Sequence, residues 1–252
     1  MSNIFKRADI YSIIYEQKNY KKEVSFILNK LKKYKVRAKT VLELGSGIGG
    51  HAKYLYKKGI KVTGVDRSKS MIDGSIKDKN FINILGDIKK INLKKKFDVA
   101  VSMFHVLSYQ ISNNHVKKTF LNANKHLNKG SYFLFDFWYS PAVKNLKAEN
   151  KHNIYKSKNI IIKKYVNVKN LTKINSVKVN YTFKVKEKNI LKEKQFKETH
   201  QMRHFSLKEI KQFSKMTGFK FCESCELVTN RKVNKNTWGV FVVLKKVRSI
   251  KQ

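Results

Sequence analysis

The sequence predicts a doubly wound α/β fold: a mostly parallel sheet with helices on both faces, interrupted by an inserted antiparallel β meander. Three observations predict it. A short apolar strand at residues 41–44 breaks into the glycine loop Gly45-Ser46-Gly47-Ile48-Gly49-Gly50 and then into a helical stretch. Strand and helix patterns go on alternating through residue 137, the rhythm of parallel strands joined by helical crossovers. Residues 150–204 abandon that rhythm for consecutive alternating strands with polar turns, which pair antiparallel.

Each element has its own signal. Residues 9–35 read as helical, with Val24, Ile27, Leu28 and Leu31 on one face. This segment can close over a ligand and carry Tyr11, Tyr15 and Tyr20 toward it; packing into the core is the other reading of these tyrosines. After the glycine loop, residues 51–58 form a helix stopped by Gly59, its N-terminus aimed at the strand end. Residues 60–66 are a second strand ending in Asp66, about twenty residues past the loop, where a carboxylate can accept from two ribose hydroxyls. A third strand at 81–85 runs into Gly86-Asp87-Ile88, and a fourth at 97–103 delivers Met103, Phe104 and His105 to the same edge. Asn114 caps a helix to about Leu127, and Lys129-Gly130 turns into a strand at 131–137. Three inserted strands follow at 160–168, 174–185 and 190–204, with a turn at 186–189. A helix at 206–217 and two strands at 219–228 and 238–244 bring the chain back to the sheet.

The residue before the first glycine narrows the ligand. A dinucleotide site uses the helix dipole to hold a pyrophosphate, whereas Glu43 sets an anion beside this loop. That charge suits S-adenosylmethionine, which carries an ammonium and a sulfonium but no phosphate. The glycines at 45, 47 and 49 let the backbone turn sharply and approach the ligand. Asp87 can accept from an adenine amine while Ile88 covers the ring.

With these motifs in order and at this spacing, the chain resembles the class I S-adenosylmethionine-dependent methyltransferases. It is most similar to bacterial N,N-dimethyltransferases of nucleotide-linked amino sugars and related surface-polysaccharide enzymes. The resemblance extends through Ala8-Asp9-Ile10-Tyr11, Asn19-Tyr20, residues 135–141 and residues 198–205. It implies a Rossmann-like sheet of seven strands whose last pair is antiparallel. It also implies a cofactor set of Tyr11, Tyr20, Glu43, Gly45, Ser46, Gly47, Gly49, Asp66, Arg67, Met71, Gly86, Asp87, Ile88 and Met103. The acceptor would meet Tyr15, His105, Trp138, Tyr139, His200 and Arg203, with His105, His200 and Tyr11 as catalytic candidates. Residues 1–149 and 205–252 would form the cofactor-binding core, with a helical lid at 1–37. Residues 150–204 would form a substrate wall or a homodimer surface.

Composition limits the alternatives. With 41% hydrophobic residues and 16 Phe in 252 positions, the chain is globular. It has no apolar run long enough to span a membrane and no apolar leader core after Met1, so a cytoplasmic protein is expected. The net charge of +39 points first to nucleic acid. However, only six of the 56 basic residues are arginine, and the lysines are spread along the chain beside abundant Asn and Ile, which suggests a codon bias toward A and T. Nonspecific adsorption of RNA at low salt is the expected consequence.

No metal site is expected. Cys222 and Cys225 lie in a strand pattern that turns them to opposite faces. His200 and His204 lie in an alternating stretch that separates their rings by roughly 13 Å. The functional expectation is methyl transfer to an amino or hydroxyl group of a nucleotide-linked sugar. An RNA or protein methyltransferase is the alternative, and a binding protein without turnover is a third class.

Overall fold

The computed structural model describes residues 7–146, 150–171, 174–188, 190 and 192–250. The leader reading at residues 1–6 and the turn residue Asn189 lie outside the described residues. A seven-stranded sheet is built from β1 (Thr40–Leu44), β2 (Lys61–Asp66), β3 (Phe81–Leu85), β4 (Phe97–Ser102), β5 (Leu127–Trp138), β10 (Phe219–Glu226) and β11 (Gly239–Lys246). Its order is β10-β11-β5-β4-β1-β2-β3. The first five strands pair parallel, whereas β11 pairs antiparallel with both β5 and β10. From β1 the chain moves outward through β2 and β3, then returns to the other side of β1 with β4. The connections leaving β1 and β4 therefore diverge and open a crevice at the carboxyl ends of the strands.

Each face of the sheet buries its own cluster. On one side α5 (Asn113–Lys125) and α7 (Leu207–Met216), with the short α6 (Ser140–Asn145) between them in the chain, cover Leu42, Leu44, Phe133 and Phe135, and Phe120 is edge-on to both phenylalanines. On the other, α2 (Tyr20–Lys33) and α3 (Ala52–Tyr56) cover Val41, Val62, Val99, Leu134 and Phe241. Strands buried on both faces read as near-continuous apolar runs, and β1 and β4 do.

The inserted sheet has order β6-β7-β8-β9, from β6 (Lys151–Lys156), β7 (Ile160–Leu171), β8 (Ser176–Glu187) and β9 (Lys194–Arg203), all antiparallel. A third cluster joins it to the core: Ile162, Phe183 and Val185 pack with Ile10 and Ile14 of α1 (Ala8–Ile14) and Met71 of α4 (Lys69–Asp73). No helix among the described residues is long and apolar enough to cross a membrane.

The structure corrects several boundaries. The helical stretch expected over 9–35 is two helices, because Asn19 starts a new one by accepting from the Lys22 N–H at 2.9 Å. Ser112, not Asn114, caps α5, which ends at Lys125. β5 already begins at Leu127, and a register shift opposite Phe97 and Val99 takes Lys129 and Gly130 into the strand. The insertion has four strands, not three: β6 is nearly all exposed, so no apolar alternation marked it. A bulge between Phe221 and Glu223 sets Cys222 and Cys225 against the same cluster instead of on opposite faces.

Candidate functional site

A cavity of about 220 Å³ fills the crevice. Its inner end is built by the first three strands. Gly45, Gly47 and Gly49 all have left-handed backbones, at φ +79°, +54° and +89°. Their missing Cβ atoms serve different purposes. One at Gly45 would meet Val106 at 2.5 Å and one at Gly49 would meet Phe81 at 2.5 Å, so these two allow the loop to pack on protein. At Gly47 nothing lies within 4 Å, and this residue lines the cavity with bare backbone.

Asp66 at the end of β2 fastens that loop. Its Oδ2 accepts from the Gly47 N–H at 2.9 Å and its Oδ1 from the Ser68 N–H at 2.9 Å. Burial still raises its pKa above the ordinary aspartate value, against the pull of these bonds. Arg67, Met71, Gly86, Asp87 and Ile88 line the same end. Ser46 lies behind the loop, where its hydroxyl donates to Asn83 Oδ1 at 2.6 Å, and Asn83 in turn donates to the Gly47 carbonyl at 2.9 Å.

Glu43 and Tyr20 stand outside the cavity lining. Glu43 is 1% exposed, with Oε1 3.2 Å from His51 Nδ1, while His51 Nε2 lies 2.6 Å from Glu23 Oε2 on α2. Burial alone would lower the His51 pKa, but the hydrogen bonds and charges of Glu23 and Glu43 outweigh it and hold it up at about 9. Glu23 is correspondingly drawn down to about 2, since its own desolvation is outweighed by His51 and Lys18. The second Glu43 oxygen, Oε2, is buried without a hydrogen-bond partner among the described residues. Tyr20 packs edge-on to His51 at 4.9 Å, so α2 meets the loop through this buried charge cluster.

At the outer end, β4 delivers Met103 and then two successive residues in left-handed conformation, Phe104 at φ +64° and His105 at φ +60°. Non-glycine residues in this region are strained and need support from their surroundings. Here it comes from Asp136 of β5, which is fully buried. Its Oδ1 accepts from the His105 N–H at 3.0 Å, and its Oδ2 lies 2.6 Å from His105 Nδ1 in a close contact bent away from hydrogen-bond geometry. Trp138 stands 6.0 Å from the His105 ring and also lines the cavity.

The inserted sheet and α1 close the remaining sides with Tyr11, Tyr15, Lys164, Tyr181, Phe183, His200 and Met202. His200 Nδ1 is 2.9 Å from the Tyr109 hydroxyl and its Nε2 is 3.3 Å from Glu198 Oε2, so both ring nitrogens have partners. Burial pushes the phenols of Tyr11, Tyr15 and Tyr109 far up from the usual tyrosine value, and all three stay protonated at neutral pH.

Two of the expected acceptor residues lie elsewhere. Tyr139 packs partly buried against the aromatic cluster of the sheet. Arg203 donates to Ile111 O, Asn113 Oδ1 and Glu209 Oε1 and lies over Phe205, pinning the end of β9 to the sheet's own helices. His204 bonds Ser140, away from His200, and no cluster of three metal-ligating side chains occurs among the described residues. Sequence reasoning missed Asp136, Tyr109 and Lys164 as site residues. Lys164 did leave a signal, because it occupies an inward position on β7 between the buried Ile162 and the half-buried Val166.

A family of methyltransferase domains matches residues 15–223 of this chain. The chain is 25% identical over 137 residues to a dTDP-3-amino-3,4,6-trideoxy-alpha-D-glucopyranose N,N-dimethyltransferase of Streptomyces venezuelae, a match that covers 53% of this chain and 58% of that protein. The chain spans about half the length of the curated relatives it matches. Among solved structures, an S-adenosylmethionine-dependent methyltransferase from Clostridium acetobutylicum superposes with a TM-score of 0.78 at 23% identity, over 96% of this chain and 98% of that one. A sugar N-methyltransferase from Streptoalloteichus sp. superposes with a TM-score of 0.81 at 15% identity, over 94% and 93% of the two chains. At these identities the superpositions establish the fold.

Proposed function

From its membership in the methyltransferase-domain family, to which this chain belongs, we propose that it moves a methyl group from S-adenosylmethionine to an amino or hydroxyl group of a small molecule, a nucleotide-linked sugar. The observation that carries the reading is the continuity of one cavity from Gly47, Asp66 and Asp87 to His105, Trp138 and His200. A cofactor end and an acceptor end in one enclosure are what a direct transfer needs. The S. venezuelae relative, named for an amino-sugar substrate, supports the choice of acceptor.

The residues present fit the cofactor. Gly47 offers backbone to open space, where a nucleoside can approach closely. Asp66 is the ribose acceptor, Asp87 the acceptor for the adenine amine, and Ile88 the apolar cover. S-adenosylmethionine supplies an electrophilic methyl on a sulfonium. Glu43 acts from behind the loop, sharing its charge with His51 instead of facing the cavity.

The protein's own work is alignment, water exclusion and proton handling. Tyr11, Tyr15 and Trp138 form the aromatic walls against which a sugar can stack. His105 is the base: Asp136 holds the ring by Nδ1, leaving Nε2 to take the proton from the attacking amine or hydroxyl. His200, bridged between Tyr109 and Glu198, orients the acceptor and does not serve as the base.

Incubation of the purified protein with S-adenosylmethionine and a panel of nucleotide-linked amino and hydroxy sugars, read by mass spectrometry, tests the reading. A methylated sugar nucleotide is expected. No methylated product from any member of the panel would overturn the sugar assignment, and absence of S-adenosylmethionine binding by calorimetry would overturn methyl transfer itself.

A further inference from the structure

Among the described residues Lys164 is the one lysine of the inserted sheet that lines the cavity. It is only 9% exposed. Its ammonium lies 5.0 Å from the centre of the Tyr181 ring and 5.5 Å from that of Tyr15. Among the described residues no side chain or carbonyl accepts a hydrogen bond from it, and no carboxylate comes within 4 Å. Glu198 on β9 supports its charge only from a greater distance, and burial lowers its pKa below the ordinary lysine value.

An ammonium has three donors, and where the protein supplies no acceptor they are left facing the cavity. Two aromatic faces attract it through cation–π interaction, but they accept none of the three protons in a hydrogen bond. By contrast, two other buried lysines have acceptors: Lys30 donates to Glu223 and to Asn230 Oδ1 at 2.6 Å, and Lys246 to the carbonyls of Asn124 and Leu127 at 2.8 Å. The inward position on β7 holds Ile162 and Val166 on either side, so an apolar residue would fit there without loss. The acceptor missing from the protein is therefore supplied by what enters the cavity.

We propose that Lys164 anchors an anionic group, a phosphate or a carboxylate, on the molecule that receives the methyl. The inference rests on the methyl-transfer reading of the cavity and assigns a residue to the charged group of its substrate. The anchor lies on the inserted sheet, whereas the adenosine-binding residues lie on the parallel sheet. Two ligands held from opposite walls can thus be brought together along the cavity. A positive charge there also disfavours the protonated form of an approaching amine, the form that cannot attack.

The test is calorimetry at physiological salt on the full chain saturated with S-adenosylhomocysteine. The probes are thymidine diphosphate against thymidine for a phosphate, and glucuronate against glucose for a carboxylate. The proteins are wild type, Lys164→Met, Lys164→Arg, and Lys57→Met as an exposed-lysine control. One anion is expected to bind wild type better than its neutral counterpart. Lys164→Met should weaken that anion by about tenfold or more, Lys164→Arg should restore most of it, and Lys57→Met should change nothing. The melting temperature of Lys164→Met should equal or exceed that of wild type, which separates a lost anchor from a damaged fold. Equal anion affinity in Lys164→Met and wild type, or no anion binding to wild type, would overturn the anchor while S-adenosylhomocysteine binding leaves the methyl-transfer reading standing. Failure of S-adenosylhomocysteine to bind wild type would bring down both.

Discussion

Asp136 touches His105 twice, once at the backbone and once at the ring, and has no exposure to solvent. It therefore holds a strained turn and stands against the Nδ1 side of the ring. With His105 as the proposed base, Asp136→Asn should lower kcat by about a hundredfold, the usual scale for losing a positioned base, and His105→Ala by a similar factor. Because the two act as a unit, the double variant should be little worse than either single one, as steady-state kinetics would show. His51 gives a second prediction at this scale. Its pKa is raised to about 9 in the folded protein. Its contribution is therefore complete below about pH 6.5 and is lost as pH rises from there through about 9. Denaturant melts should show stability falling across that window by on the order of 3 kcal/mol, and His51→Gln should flatten the slope. A slope equally steep in the variant would refute the assignment.

At the scale of elements, the inserted sheet and α1 share a core. Phe183 of β8 is buried among Ile10 and Ile14 of α1 and Met71 of α4, and it also lines the cavity. Phe183→Ala should destabilise the protein by about 3–5 kcal/mol in urea unfolding. Since Tyr11 and Met71 line the cavity from the same cluster, it should also raise the KM for S-adenosylmethionine. The elements differ in how legible they were. β1, β2 and β4 are buried on both faces and bounded by glycine or charge, so their ends were plain in the sequence. β6 is polar and mostly exposed, pairs with β7, and sets only Tyr155 against the cluster beneath it; nothing in its own pattern marked it. The break between α1 and α2 was hidden because Asn19 caps a helix in the middle of a continuous helical pattern.

For the whole molecule, the net charge of +39 is spread over many lysines, most of them exposed. Such a surface adsorbs polyanions without reading them. Filter binding to an unrelated RNA should therefore weaken by about a thousandfold or more between 50 and 200 mM salt. Affinity that persisted through this range would favour an RNA substrate over a small molecule.

The sequence by itself determined the parallel sheet, the glycine loop and the carboxylates at 66 and 87. These are local: a strand end, a backbone that must turn left-handed, and a fixed spacing to the next strand. It also marked Tyr11, His105, Trp138 and His200 as residues of interest. Tertiary structure decided their partners. Asp136 reached His105 because β5 lies beside β4, Glu43 turned to His51 because α2 brought Glu23 against the loop, and Arg203 became a structural pin because α5 and α7 converge on it. Lys164 entered the cavity only because the insertion folds back over the strand ends. Contacts between elements far apart in the chain carry no periodicity, so only the assembled fold supplies them.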